Sequence, residues 1–133
     1  MKSLYETYEL NRPGKKAFFI DEDGRDHPID LLLVDMYVAM DKYTVKIEGL
    51  ESIFPNFGGT VHLYYSPKDA ASFDIHVDPY DVKIICIDGI KTMEVAGVDV
   101  ALQEGEQLMI EADTPHRATN HFTSTMISIG YEE

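Results

Sequence analysis

Val82-Lys83-Ile84-Ile85-Cys86-Ile87-Asp88-Gly89-Ile90-Lys91-Thr92-Met93-Glu94-Val95 places two β-rich runs around an Asp-Gly pair. Asp-Gly suits a two-residue type I′ turn, which needs positive φ at both centres, so the stretch predicts a β-hairpin. In that register Ile87 pairs with Ile90, Cys86 with Lys91, Ile85 with Thr92 and Ile84 with Met93. One face then carries Val82, Ile84, Cys86, Met93 and Val95 together with Lys91. The other carries Lys83, Thr92 and Glu94 among isoleucines and is expected to face outward. Lys91 is thus placed among apolar neighbours, where an unpaired ammonium would cost several kcal/mol. It needs an anion, either a structural partner such as Asp74 or Asp88, or a ligand.

The same texture extends on both sides. Strands are expected at Tyr43 to Glu48, Thr60 to Tyr65, Phe73 to Asp78, Val98 to Leu102, Gln107 to Glu111 and Thr123 to Gly130. Asp-Gly, Ala-Gly and Glu-Gly pairs punctuate them, which indicates an antiparallel barrel or sandwich. Upstream, Ala17 to Ile20 runs into the turn Asp21-Glu22-Asp23-Gly24. Asp30 is placed to cap a helix through about Asp41, with Leu31, Leu32, Val34, Val38 and Met40 as its apolar face. The expectation is one mainly all-β domain over residues 1–133, with a strand and helix elaboration at 1–58 and a barrel core at 59–131. The first 30 residues fit an extra hairpin, a lid or a dimer arm.

Composition narrows the function. The 133 residues include 11 basic and 24 acidic side chains, a formal charge of -13, and 44% are hydrophobic. Such a surface repels phosphate backbones, so neither nucleic acid nor an anionic membrane is an expected partner. No run approaches the ~20 apolar residues of a membrane span, and the Met1 to Glu6 segment lacks a signal-peptide core, so a cytoplasmic location is expected. The acidity fits a basic partner or, more simply, solubility. The single cysteine, Cys86, excludes an internal disulfide and reads as a small buried apolar residue. His27 and His121 are expected to be exposed. No Ser or Cys triad is evident.

Phe73-Asp74-Ile75-His76-Val77-Asp78 alternates, which puts His76 and Asp78 on one face of a strand. His116, after Thr114-Pro115, is the candidate third ligand. Two imidazoles and a carboxylate on one face of an octahedron make the facial triad of non-haem iron, leaving three positions open. Around these residues, Gly105-x5-Glu111-Ala112-Asp113-x2-His116-x3-Asn120 keeps the spacing of the second cupin motif, with Glu111 and Asp113 where cupins usually show Pro and Gly. In the first motif Asp78 replaces a His, and Val82 stands where a glutamate ligand would be.

The chain therefore resembles the JmjC-type branch of the cupins, Fe(II)- and 2-oxoglutarate-dependent oxygenases that hydroxylate or demethylate proteins. The likeness runs through Val61-His62-Leu63-Tyr64-Tyr65-Ser66-Pro67, His76-Val77-Asp78, Asp88-Gly89-Ile90-Lys91 and Pro115-His116. It implies a double-stranded β-helix, or cupin jelly roll, with a short N-terminal helix. It implies Fe(II) on His76, Asp78 and His116, which would be the catalytic set. Lys91, 13 residues beyond Asp78, would hold the distal carboxylate of 2-oxoglutarate, and Tyr64, 12 residues before His76, would hydrogen-bond it. His62 and Met93 stand where many relatives have Asn and Trp. Asn120 reads as a brace for its loop. The substrate would be a small molecule or a protein side chain, and a homodimer is plausible for this barrel type. A non-catalytic cupin, or a metal-binding one independent of 2-oxoglutarate, is the alternative; it requires no inward lysine.

Overall fold

The computed structural model describes residues 16–29, 39–52, 54–71 and 73–132. Its strands are β1 (Lys16–Ile20), β2 (Asp26–Ile29), β3 (Thr44–Glu48), β4 (Thr60–Ser66), β5 (Val82–Gly89), β6 (Lys91–Val95), β7 (Val98–Leu102), β8 (Gln107–Ile110), β9 (His116–Ala118) and β10 (Ser124–Gly130). They form a seven-stranded sheet in the order β2-β1-β3-β4-β10-β5-β8 and a three-stranded sheet in the order β7-β6-β9. The described strand pairs are antiparallel. From β5 onward the chain passes back and forth between the sheets, which winds it into the expected jelly roll. Among the described residues no helix is long and apolar enough to cross a membrane.

Period-two alternation divides the side chains of the large sheet between two interiors. Val61 and Leu63 of β4, Ile127 and Ile129 of β10 and Ile85 and Ile87 of β5 pack with Ala17, Val45, Ile47, Leu50, Ala39 and Met40 on one face. Val82, Ile84 and Cys86 of β5 and Met126 of β10 face the small sheet, where they meet Met93, Leu102 and Ile110. Between the sheets the remaining inward residues of β4, Thr60, His62, Tyr64 and Ser66, line a cavity of about 520 Å³. The sheet is thus buried on both faces. That corrects the expectation that the isoleucine face of β5 looks outward, because the chain before β4 covers it.

The Asp88-Gly89 hairpin does not form. β5 runs through Asp88 and Gly89, still paired with Thr125 and Ser124 of β10, and β6 then enters the other sheet. Asp88 lacks the positive φ that a type I′ turn demands, whereas Gly89 has φ 71°. The I′-like turn lies one connection later, where Ala96 (φ 51°) and Gly97 (φ 79°) join Val95 to its partner Val98. Lys91 nevertheless points inward, since alternation within β6 puts it beside Met93 on the buried face. Thr92, expected outside, is buried under the 119–121 loop, its hydroxyl bonded to Thr119 Oγ1 (2.9 Å) and to the His121 N–H (2.9 Å).

The expected strand over 73–78 is a bend with one bridge, His76 to His116. The expected helix from Asp30 falls mostly outside the described residues; Ala39 and Met40 are helical and buried. Of the first 30 residues, the described part is a hairpin at the margin of the large sheet. Asp21 Oδ1 accepts the N–H groups of Asp23 (2.8 Å) and Arg25 (3.0 Å) in its turn. Cys86 is buried, and His27 and His121 are exposed, as expected.

Gly89 is under tight backbone constraint. A Cβ there would lie 2.1 Å from the Thr123 carbonyl oxygen in a positive-φ conformation. Gly89→Ala is expected to cost on the order of 2 kcal/mol or more in urea unfolding; a cost under 0.5 kcal/mol would mean that the β5–β6 corner is not held this way.

Candidate metal centre

His76 and His116 face each other through a reciprocal backbone pair: His76 N–H donates to the His116 carbonyl (3.1 Å) and His116 N–H to the His76 carbonyl (2.9 Å). The pair brings the β4–β5 loop against β9 and sets the imidazole centroids 4.4 Å apart. Asp78 is anchored nearby by the Asp113 N–H, which donates to its carbonyl (2.8 Å). Asp113 holds φ 63°, a left-handed conformation that Asp tolerates better than most residues, at the place where the cupin motif usually has Gly.

Each imidazole is oriented by its own chain. His76 Nδ1 lies 2.9 Å from the Asp74 carbonyl and His116 Nδ1 lies 2.8 Å from the Thr114 carbonyl. A carbonyl only accepts, so Nδ1 carries the proton and the Nε2 lone pair is free to coordinate. Asp78 Oδ2 sits 3.3 Å from His116 Nε2 and 3.9 Å from His76 Nε2. The three donor atoms lie within 4.8 Å of one another. His116 is buried, whereas His76 is exposed along one side, so the site is open in one direction. The geometry therefore brings together all three residues singled out in the sequence. The donor set, two imidazoles whose Nδ1 sides are held by backbone carbonyls and one carboxylate, fits a divalent first-row metal with open positions.

Lys91 and Tyr64 line the same cavity. Lys91 is 1% exposed; its ammonium donates to Asn120 Oδ1 (2.8 Å) and lies 3.5 Å from Ser66 Oγ. No carboxylate among the described residues pairs with it, so neither Asp74 nor Asp88 is the structural partner that the sequence allowed. Burial pulls its pKa down to about 8. Ser124, opposite Ser66 in the β4–β10 register, is also buried, and its hydroxyl finds no acceptor or donor among the described residues. Burial, reinforced by the field of Asp26, Glu48 and Asp78, pushes the Tyr64 phenol well above its usual range, so it stays a hydrogen-bond donor. Burial also holds the His62 imidazole, on the cavity wall, below the usual histidine range.

Two participants were not foreseen. Ser66 shares the alternation of His62 and Tyr64, which is the signal that would have placed it in the cavity. Asn120 does brace its loop, donating from Nδ2 to the Ala70 carbonyl (3.0 Å), but its oxygen also receives the lysine. Its φ of 54° turns the side chain back under Lys91, and nothing in the sequence alone fixes that.

No protein-family model matches the chain, and no curated protein resembles it in sequence. Solved structures do share its fold. The ribosomal oxygenase YcfD of Escherichia coli superposes with a TM-score of 0.72 at 16% identity, over 96% of this chain and 42% of that one. Its complex with cobalt and succinic acid gives 0.72 at 14% identity, over 94% and 42%. A cupin superfamily protein of Desulfitobacterium hafniense gives 0.52 at 15% identity, over 56% and 67%. The fold is thus that of the cupins, and this chain spans about two fifths of the length of YcfD.

Two outcomes are expected of this site. Asp78→Ala should weaken cobalt(II) binding by more than the roughly 10–100-fold that loss of an outer-sphere partner costs, with the unfolding midpoint little changed; unaltered cobalt affinity would remove Asp78 from the ligand set. Lys91 bears on stability with a definite sign. Between about pH 8 and 10.5 the unfolded chain holds a proton that the folded Lys91 has lost, so stability rises with pH across that window. Below it the buried charge costs roughly 3 kcal/mol. Lys91→Met should therefore be at least as stable as the parent at pH 7, with its advantage shrinking towards pH 10. A variant much less stable at pH 7 would show the charge to be structurally satisfied.

Proposed function

We propose that this protein is an Fe(II)- and 2-oxoglutarate-dependent oxygenase of the hydroxylating type. His76, Asp78 and His116 would hold the metal, and Lys91 with Tyr64 would hold the distal carboxylate of 2-oxoglutarate. The observation that carries the reading is Lys91. An ammonium buried without a carboxylate is a standing cost to the fold, and its cavity is the one that the metal-binding donors share. A dicarboxylate would supply the missing anion at one end while its other end reached the metal. The Ser66 hydroxyl, on the cavity wall 3.5 Å from the Lys91 ammonium, would offer that carboxylate a further donor. The cobalt and succinic acid seen in YcfD, a protein of the same fold, are a metal and a dicarboxylate of this kind.

Each residue then has a defined task. His76 and His116 present fixed Nε2 lone pairs, and Asp78 contributes the negative charge that a divalent ion needs. Lys91, steadied by Asn120, fixes the cosubstrate by charge, and the protonated Tyr64 fixes it by donation. Met93, Met126, Val82 and Ile84 give one part of the cavity an apolar wall. The iron, when bound, supplies the activation of dioxygen that no side chain can.

Anaerobic addition of Fe(II) and then 2-oxoglutarate to the metal-free protein is expected to give a weak visible charge-transfer band only when both are present. Affinity for 2-oxoglutarate should fall as pH rises through about 8, where Lys91 loses its proton, and should be lost in Lys91→Met while iron affinity persists. Iron binding with no band and no 2-oxoglutarate affinity would leave a metal-binding cupin of another kind.

A further inference from the structure

A second buried lysine, Lys46, stands one aromatic ring away from His76 and outside the proposed chemistry. In the large sheet Phe18, Lys46 and Tyr64 are successive cross-strand partners on β1, β3 and β4, and they form one row on the cavity face. Lys46 is 7% exposed. Its ammonium donates to Asp26 Oδ2 of β2 (2.5 Å) and pairs with Glu48 Oε1 of β3 (3.2 Å). It also lies 4.9 Å from the ring centroid of Phe18 and 5.4 Å from that of Phe73. Unlike Lys91, this cation is fully compensated by carboxylates.

Phe73 is the connection to the site. It belongs to the β4–β5 loop that carries His76 and Asp78, and its ring stands edge-on to His76 at 6.3 Å and to Tyr64 at 6.5 Å. An ammonium held over an aromatic face is attracted by the ring's negative π surface, so the contact favours the ring position that keeps that face towards Lys46. The start of the same loop is tied to β3 as well, through the Thr44 hydroxyl donating to the Ala71 carbonyl (2.9 Å). Among the described residues the loop backbone bridges to a strand of the second sheet at His76, where the Asp74 carbonyl fixes the Nδ1 side of the ring, and the packing of Phe73 adds a second constraint on that imidazole.

We infer that Lys46 is a positioning residue for the metal centre: gripped by the β1–β2 hairpin and β3, it holds Phe73 and through it His76. The N-terminal strands, on this view, hold the ligand loop as well as covering the sheet. The inference rests on the three-residue metal centre described above.

Cobalt(II) titration of the metal-free protein, read by affinity and by the shape of the visible d–d spectrum, tests it. Lys46→Met keeps the stem and removes the charge, and should weaken cobalt binding about 10-fold, as expected of an outer partner, with an altered d–d band. Lys46→Arg should keep the parent spectrum. Phe73→Leu should weaken binding similarly, and the Lys46→Met/Phe73→Leu double variant should be no weaker than Phe73→Leu alone, because the two act in series. Ile47→Val, which loosens β3 from its opposite face, controls for general destabilisation and should leave affinity and spectrum unchanged. Parent-like cobalt binding by Lys46→Met, multiplying losses in the double variant, or equal losses in Ile47→Val would each overturn the coupling while leaving the metal centre standing. Parent protein that binds no cobalt would overturn both.

Discussion

The reciprocal backbone hydrogen bonds between His76 and His116 are the constraint on which the site depends. They join a loop that leaves the large sheet to a three-residue strand of the small one, and they place two imidazoles side by side, tilted 57° to each other. The Nδ1 of each ring is then held by a carbonyl two residues upstream, in both cases by local backbone. Orientation of the ligands is therefore settled before any metal arrives, and the entropy of ordering two side chains is met by folding rather than by binding.

The two buried lysines differ in what compensates their charge. Lys46 has two carboxylates and two aromatic faces within reach. Lys91 has an amide oxygen, a distant hydroxyl and no anion among the described residues. In a low-dielectric interior an amide dipole does not replace a carboxylate, and burial holds the Lys91 ammonium below the usual lysine range. Both lysines face the cavity side of the fold, so the contrast arises from their partners and not from depth alone.

A sheet buried on both faces makes this arrangement possible. Because β1, β3 and the segment around Leu50 seal the outer face of β4, β10 and β5, those strands can give their inner face to polar groups and still belong to a core. His62, Tyr64, Ser66, Ser124 and Ser128 all occupy inward positions that an ordinary two-sheet sandwich would fill with apolar side chains. The stability lost at the inner face is offset at the outer one by Val45, Ile47, Leu63, Ile127 and Ile129.

Much of this was legible in the residues. Alternation along Thr60 to Ser66 and Val82 to Cys86 gave the strands, and alternation along β6 sent Lys91 inward. The spacing of His76, Asp78 and His116 marked three donors that the fold does bring within 4.8 Å of one another. The hairpin drawn at Asp88-Gly89 was wrong, although its consequence for Lys91 held, because the inward face of β6 follows from alternation whichever strand it pairs with. Turn chemistry is local and several Gly-containing pairs satisfied it, so only the packing of β5 along β10 could assign the true two-residue turn to Ala96-Gly97. Likewise the bend at 73–78, the union of Asn120 with Lys91 and the grip of Lys46 on Phe73 join residues far apart in the chain. Pattern and composition report what each side chain prefers within a few residues; which distant partners meet is decided by the closing of the sheets, since only tertiary packing sets those distances.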